Sequence, residues 1–185
     1  HGGGSVSGYG YDEKYSRSGS MSLAGINQAL KLGGTTFDFI GFDACLMATA
    51  ENALMLNNYG DYLIASEETE PGIGWYYTDW LTKLSADTSM STIDIGRNII
   101  DGFTSACSKK VPGQQTTLSL VDLAELSNTV PDKLTSFSKS ITSMIKENNY
   151  KQVSVARNGT REFATSSRID QVDLVHLANN MGTDE

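Results

Sequence analysis

The stretch from Phe37 to Glu51 constrains this chain more than any other. Phe37-Asp38-Phe39-Ile40-Gly41-Phe42 is aromatic and β-branched, the composition of a buried strand. Leu46 to Asn58 is rich in Ala, Leu, Met and Glu, so a helix is expected there. Asp43-Ala44-Cys45 lies between them, which puts a thiol where a strand ends and a helix begins. Open α/β sheets hold their working residues at the carboxyl ends of strands. A helix N-terminus also lowers a thiol pKa from about 8.5 towards the reactive thiolate. Against this, a free cysteine is most often a small buried hydrophobe, and the segment alone leaves both readings of Cys45 open.

The flanking pattern supplies the sheet. Leu23, Ile26, Ala29 and Leu30 fall at helical spacing and Gly33-Gly34 stop the run, giving a crossover helix into the Phe37 strand. Tyr62 to Ser66 reads as a further buried strand, and a strand–helix–strand–helix–strand order predicts a parallel sheet with helices on its faces. Glu67 to Tyr77 is a loop with Pro71, two glycines and Trp75, leaving a strand end beside the one that bears Cys45. Helices are expected over Tyr77 to Ala86, and from Ser91 through an apolar face of Ile95, Ile99, Ile100, Phe103 and Cys107. That face makes Cys107 a core residue. Thr116 to Leu123 reads as a strand, Pro131 as the first turn of a helix to about Asn148, and Asp170 to Met181 as a last helix. Tyr150 to Ser167 carries no decisive pattern. Gly2 to Ser20, rich in glycine and serine, reads as an irregular surface loop.

With 185 residues and 39% hydrophobic content, the chain is long enough for one sizeable core, so a single domain over 1–185 is expected. A net charge of −8 gives nucleic-acid binding no support and favours a basic substrate if acidity is functional. No run of 18 apolar residues exists to span a membrane. Two cysteines make no disulfide framework, and a bridge would consume the proposed nucleophile. The chain opens on His1 rather than Met and reads as a fragment or processed form lacking upstream strands.

His1-Gly2-Gly3-Gly4 stands 44 positions before Cys45. A histidine at one strand end and a cysteine at the next, joined by one crossover, gives about the spacing seen in caspases. The HGGG segment, Phe42-Asp43-Ala44-Cys45-Leu46-Met47, and Ala65-Ser66-Glu67-Glu68 through Pro71-Gly72-Ile73-Gly74-Trp75 together resemble the clostripain-like cysteine peptidases. Leu118 to Leu123 and Asp170 to Leu174 are weaker matches to the same family. The resemblance implies a caspase-like α/β three-layer sandwich, mostly parallel, with helices on both sides. It also implies a bacterial, secreted or cell-surface cysteine endopeptidase that acts on peptides or proteins after Arg or Lys and cuts itself between histidine and cysteine. Calcium dependence is implied by resemblance only, since no D-x-D-x-D-G loop is visible and no zinc spacing occurs.

In residue terms, Cys45 is the expected nucleophile and His1 the acid/base, whose ordinary pKa near 6.5 suits proton transfer at neutral pH. The Gly2 and Cys45 N–H groups are the expected oxyanion donors. Asp43 is either the carboxylate that reads a basic side chain or the cap of the following helix. Glu68 and Glu70, with Trp75, are expected at the same cleft, and Glu67 and Asp79 are further candidates for a second acid. Relatives often carry an Asp just after the Gly-Trp pair, where this chain has Tyr76-Tyr77. Lys14 and Arg17 are the basic residues of the loop after His1 and the expected sites of self-cleavage. HGGG also occurs in esterases, but the G-x-S-x-G elbow they need is absent. His176 lies in an apolar helical pattern and reads as a helix-surface or packing residue rather than a catalyst. Asn158-Gly159-Thr160 reads as a chance glycosylation match. The alternative to an enzyme is a catalytically silent binding or regulatory module that retains the fold.

Overall fold

The computed structural model describes Gly3 and residues 8–182. These fall in two compact units, His1–Ala124 and Glu125–Glu185. In the first, three strands form one sheet in the order β1 (Phe37–Gly41), β2 (Gly60–Ala65), β3 (Ser119–Asp122). β1 and β2 run parallel, with Phe39 beside Tyr62 and Gly41 beside Ile64, joined by the crossover helix α2 (Ala50–Leu56). β3 is antiparallel to β2, so the sheet is mixed and its parallel part is the β1–β2 pair.

Alternation along β2 sends Leu63 and Ile64, both fully buried, to opposite faces. Ile64 joins Trp75, Ile99, Phe103 and Cys107 in a core completed by Phe39, Trp80 and Leu120. It is covered by α3 (Tyr77–Ala86) and α4 (Thr92–Lys110), which pack on each other. On the other side α2 packs on β2 and on α1 (Leu23–Gly33). Tyr59 ties these elements, donating its hydroxyl to Asn27 Oδ1 at 2.6 Å. The expected starts of α1 and α4 hold: Ser22 and Ser91 accept from the Gly25 and Asp94 N–H groups as N-caps.

Four expectations need correcting. The helix after Cys45 begins at Ala50, not Leu46, because Leu46 sits at φ 66° and the Leu46 and Ala48 N–H groups donate to Glu68 and Ser66 carbonyls. Thr49, accepting from Asn52 N–H, is the N-cap. Pro131 lies well inside α5 (Leu123–Lys146) rather than at its start, since the helix formers Leu123-Ala124-Glu125-Leu126 continue directly from β3. The final helix is α7 (Leu174–Asn180), and Gln171–Val172 before it is β5, paired antiparallel with β4 (Glu162–Phe163). Finally, the loop before α1 is closed rather than irregular. Tyr9 and Met21 exchange backbone hydrogen bonds at 3.0 and 2.9 Å around a short 3₁₀ turn at Glu13–Ser18.

In the second unit α5 continues to Lys146, followed by α6 (Tyr150–Asn158), β4, β5 and α7. Phe137, Ala156 and Met181 form its core with Leu134, Ile141, Val153 and Leu177. Arg157 bridges Glu162 and Asp170. His176 is exposed and its Nδ1 accepts the Arg161 N–H at 3.1 Å, which makes it a structural acceptor of this unit.

Gly41 closes β1 beneath the Trp75 ring, where an added Cβ would lie 2.8 Å from Cη2. Gly41→Ala is therefore expected to destabilise the protein by about 1–3 kcal/mol in denaturant unfolding, by displacing a buried indole.

Candidate active site

The β1 strand ends at Gly41, and the following residues leave it along the continuation of β2. Phe42 N–H donates to Ile64 O at 2.9 Å; beyond the turn, Leu46 and Ala48 return to Glu68 and Ser66 at 3.2 and 3.0 Å. Cys45 stands in this turn. The left-handed backbone at Leu46 is disfavoured for a residue with a side chain, and burial of that side chain together with the Glu68 contact holds it there. Asn52, fully buried, fixes the far end by donating Nδ2 to Met47 O at 2.7 Å.

The thiol is half-buried and unbridged, and it meets the backbone of Glu70. Glu70 N–H donates to Sγ at 3.2 Å, and the Sγ–Glu70 O separation is 3.7 Å. The contact on the sulfur therefore comes from a loop amide, where sequence reasoning expected a helix N-terminus. The expected helix-start geometry does not apply, with α2 beginning five residues later.

The opposing segment is itself pinned. Ser66, fully buried, donates to Glu68 O at 2.9 Å, and Thr117 Oγ1 accepts the Glu67 and Glu68 N–H groups at 3.0 and 3.1 Å. These bonds fix the route of the loop that carries Glu70, and with it the amide against Cys45.

Asp43 faces the same loop. Its Oδ1 accepts Trp75 N–H at 3.1 Å, so it caps the loop rather than the helix. Gly74, at φ 63°, permits this approach, because a Cβ there would lie 3.1 Å from Oδ2. Glu70 lies beside Asp43. Burial first, and then the Asp43 charge, push the Glu70 carboxyl up to about 8, while the Trp75 indole N–H pulls it the other way. Neither Glu70 oxygen nor Trp75 Nε1 has a hydrogen-bond partner of normal geometry, although all three atoms are buried. Tyr77 lies beside the same carboxyls; burial, Asp43 and Glu70 push its hydroxyl up to about 12. Tyr77 stacks on Trp75 at 6.3 Å, and Tyr9 packs edge-on against Phe42 at 5.1 Å.

Of the expected site residues, the structure thus brings Asp43, Cys45, Glu70 and Trp75 together. Glu68 Oε1 accepts the Thr69 N–H at 2.8 Å. Glu67 accepts the Ser119 hydroxyl, and Asp79 pairs with Lys83. His1 and Gly2 lie outside the described residues. Tyr9 and Tyr77 were missed by sequence reasoning. The aromatic run Trp75-Tyr76-Tyr77 after the Pro-Gly turn was the available signal. Lys14 and Arg17 are exposed in the 3₁₀ turn. Cys107 is core, and burial pushes its thiol up. Among the described residues no group of three or more His, Cys, Asp or Glu gathers to hold a metal ion.

The raised Glu70 carboxyl has a consequence for stability. The folded state retains a proton that the unfolded chain gives up, so stability is fullest below about 4.5 and falls as pH rises through about 8. Thermal unfolding midpoints of wild type are expected to drop across that window, and Glu70→Gln is expected to flatten the drop. A parallel drop in the variant would assign the effect to other groups.

Comparison with known proteins agrees with this fold. The clostripain family's sequence profile matches residues 2–183. A search of curated protein sequences returned no match. Among solved structures, the chain is similar to a B. fragilis cysteine protease (TM-score 0.59, 20% identity, 94% of this chain and 68% of that one). It is also similar to a clostripain from Bacteroides thetaiotaomicron in complex with a peptide inhibitor (TM-score 0.57, 20% identity, 92% and 74%). A secreted C11 cysteine protease from the same organism matches at TM-score 0.51 and 26% identity, over 67% of this chain and 38% of that one. No helix among the described residues is long and apolar enough to cross a membrane. The profile covers nearly the whole chain and the solved relatives share its α/β fold, so the chain belongs to the clostripain family, whose homology supports cysteine peptidase activity.

Proposed function

We propose that residues 1–185 form the peptidase domain of a cysteine endopeptidase with Cys45 as nucleophile and His1 as acid/base. The observation that carries this reading is the Cys45 thiol, held at the end of β1 by the Glu70 amide and bordered by an acidic recess. The thiolate attacks the peptide carbonyl, and the oxyanion is met by the N–H groups of Cys45 and Gly2. His1 gives its proton to the departing amine, and a water deprotonated by the same imidazole then hydrolyses the thioester.

The recess suits a basic side chain before the scissile bond. Asp43 offers a carboxylate at its exposed side and Glu70 a second carboxyl beneath, with Trp75 and Tyr77 as walls. Preference for Arg or Lys is also consistent with the inhibitor BTN-VLTK-AOMK of the clostripain relative, whose peptide part ends in lysine. The secreted relative supports an extracellular setting.

Self-cleavage after Lys14 or Arg17 belongs to the same proposal. A protease cleft takes an extended strand, so the 3₁₀ turn at Glu13–Ser18 has to unwind first. Such a turn is short and exposed and opens at little cost. After the cut, the backbone pairing of Tyr9 with Met21 holds the two sides of the loop together.

Cys45→Ala is expected to abolish turnover and His1→Ala to reduce it by orders of magnitude; near-normal turnover of pure Cys45→Ala would end the assignment. Asp43 is exposed, so its charge-assisted bond is worth about 1.5–3 kcal/mol. Asp43→Asn should accordingly lose roughly 10- to 100-fold on Arg substrates and little on neutral ones. An equal loss on both would leave Asp43 as the cap of the Trp75 loop alone. A thiol-directed peptide probe ending in Arg should label Cys45, and failure to label would favour a silent binding module. Incubated alone, wild type should yield new N-termini at Tyr15 or Ser18, while Cys45→Ala stays intact; equal cleavage in both would point to a contaminating protease.

A further inference from the structure

A second concave surface lies close to the Cys45 site, on the outer side of α3 and α4. Trp75 and Tyr77 stand beside the Asp43 carboxylate, whereas Tyr76 between them lines a cleft of about 450 Å³ against α4. The α4 side of this cleft is low because Gly102, Ser105 and Ala106 carry small side chains or none. A Cβ added at Gly102 would come into contact with Asp79 Oδ2 at 3.8 Å and Tyr76 Cβ at 4.0 Å, so the glycine keeps that end open. At the other end Lys109 and Lys110, the last two residues of α4, enter the lining.

The charges of the cleft are sorted by end. Asp79 is taken by Lys83, whose Nζ donates to it at 2.9 Å and to Asn98 Oδ1 at 3.0 Å. Asp101 stands at the same end as Gly102, eight residues before Lys109, which is about 12 Å along the helix axis. Neither Lys109 nor Lys110 joins an ion pair among the described residues. The negative end of the helix dipole accounts for lysines in the last turn of α4. It does not account for the Lys110 ammonium lying over the Tyr76 ring, 5.9 Å from its centroid, on the wall of the cleft. In a chain of net charge −8, the cleft thus ends in a positive spot with no carboxylate of its own.

We propose that this cleft is a secondary substrate subsite, in which Lys109 and Lys110 receive an acidic side chain a few residues from the scissile bond. Tyr76 gives the peptide a flat wall, and the Lys110 ammonium turns from the ring to the incoming carboxylate. An extended peptide gains about 3.3–3.6 Å per residue, so about four residues cover the length of the cleft. Asp101 repels an acid at its own end, which directs the carboxylate to the lysine end. The negative charge of the whole chain disfavours acidic peptides at long range, so the two lysines fix register rather than speed encounter. This inference rests on the reading of the chain as an endopeptidase, and it gives the substrate a second recognised charge, opposite in sign to the first.

The test uses peptides with one arginine at the cleavage site and a glutamate moved in turn through about four positions on either side, each paired with its glutamine counterpart. The glutamate-to-glutamine ratio of kcat/KM is read for wild type and for the double variant Lys109→Gln/Lys110→Gln. Because each ratio is internal to one protein, a general loss of activity in the variant cancels. At low salt, wild type should prefer glutamate by roughly three- to tenfold at one position. That preference should fall to near one in the double variant, and in wild type at about 0.5 M salt. A ratio near one at every position in wild type, or a preference that persists in the double variant, overturns the subsite. An arginine anilide, too short to reach the cleft, is run beside the peptides. Its turnover by wild type assigns such a failure to the subsite alone, whereas no turnover of any substrate removes the peptidase reading and this inference with it.

Discussion

The site depends on a set of backbone hydrogen bonds between the residues that follow β1 and those that follow β2. Phe42 still pairs with Ile64 as a strand residue would, but Leu46 and Ala48 pair with Glu68 and Ser66 after the chain has turned. That turn holds Cys45 out of both the strand and the helix, against the loop that carries Glu70. Each bond is modest by itself, about 0.5–1.5 kcal/mol. Together with the Ser66–Thr117 hydroxyl pair, they leave the loop a single route. The thiol is positioned by the next strand's continuation, with the Glu70 amide donating to its sulfur.

Much of this was legible in the sequence where hydrophobic period and cap chemistry agree. The place of the Phe37 strand, the α1 and α4 caps and the burial of Cys107 follow from local pattern. The expected burial of that strand does not hold: Phe37 is 41% exposed and no residue of β1 is fully buried, since among the described residues β1 pairs on one side only. The start of α2 was not legible. Leu46-Met47-Ala48 has good helix propensity, yet its backbone donors are taken by residues 66–68, a competition that appears only when β2 is in place. The direction of β3 was hidden for the same reason.

The acidic recess divides similarly. Asp43 and Trp75 stood out by position, but four acids near the loop looked equivalent in the sequence. Tertiary placement distinguishes them: Glu67 accepts the Ser119 hydroxyl, Glu68 accepts the Thr69 N–H, Asp79 pairs with Lys83, and Glu70 lies beside Asp43. Spacing from the cysteine carries no information on that choice, since it depends on the pinning of Ser66 by Thr117, 51 residues further along.

Gly74 shows how narrow the tolerance of this arrangement is. Its φ of 63° disfavours any residue with a side chain, and a Cβ there would press on the Asp43 carboxylate, 3.1 Å from Oδ2. The two exclusions are independent: relaxing the backbone would not clear the carboxylate, and moving the carboxylate would not relieve the backbone. The second glycine of the Pro-Gly-Ile-Gly-Trp run is therefore a spacer of fixed thickness between nucleophile strand and loop. Any thicker residue would widen the recess and part Asp43 from the Trp75 amide, turning a change of one methyl group into a change of what the recess can grip.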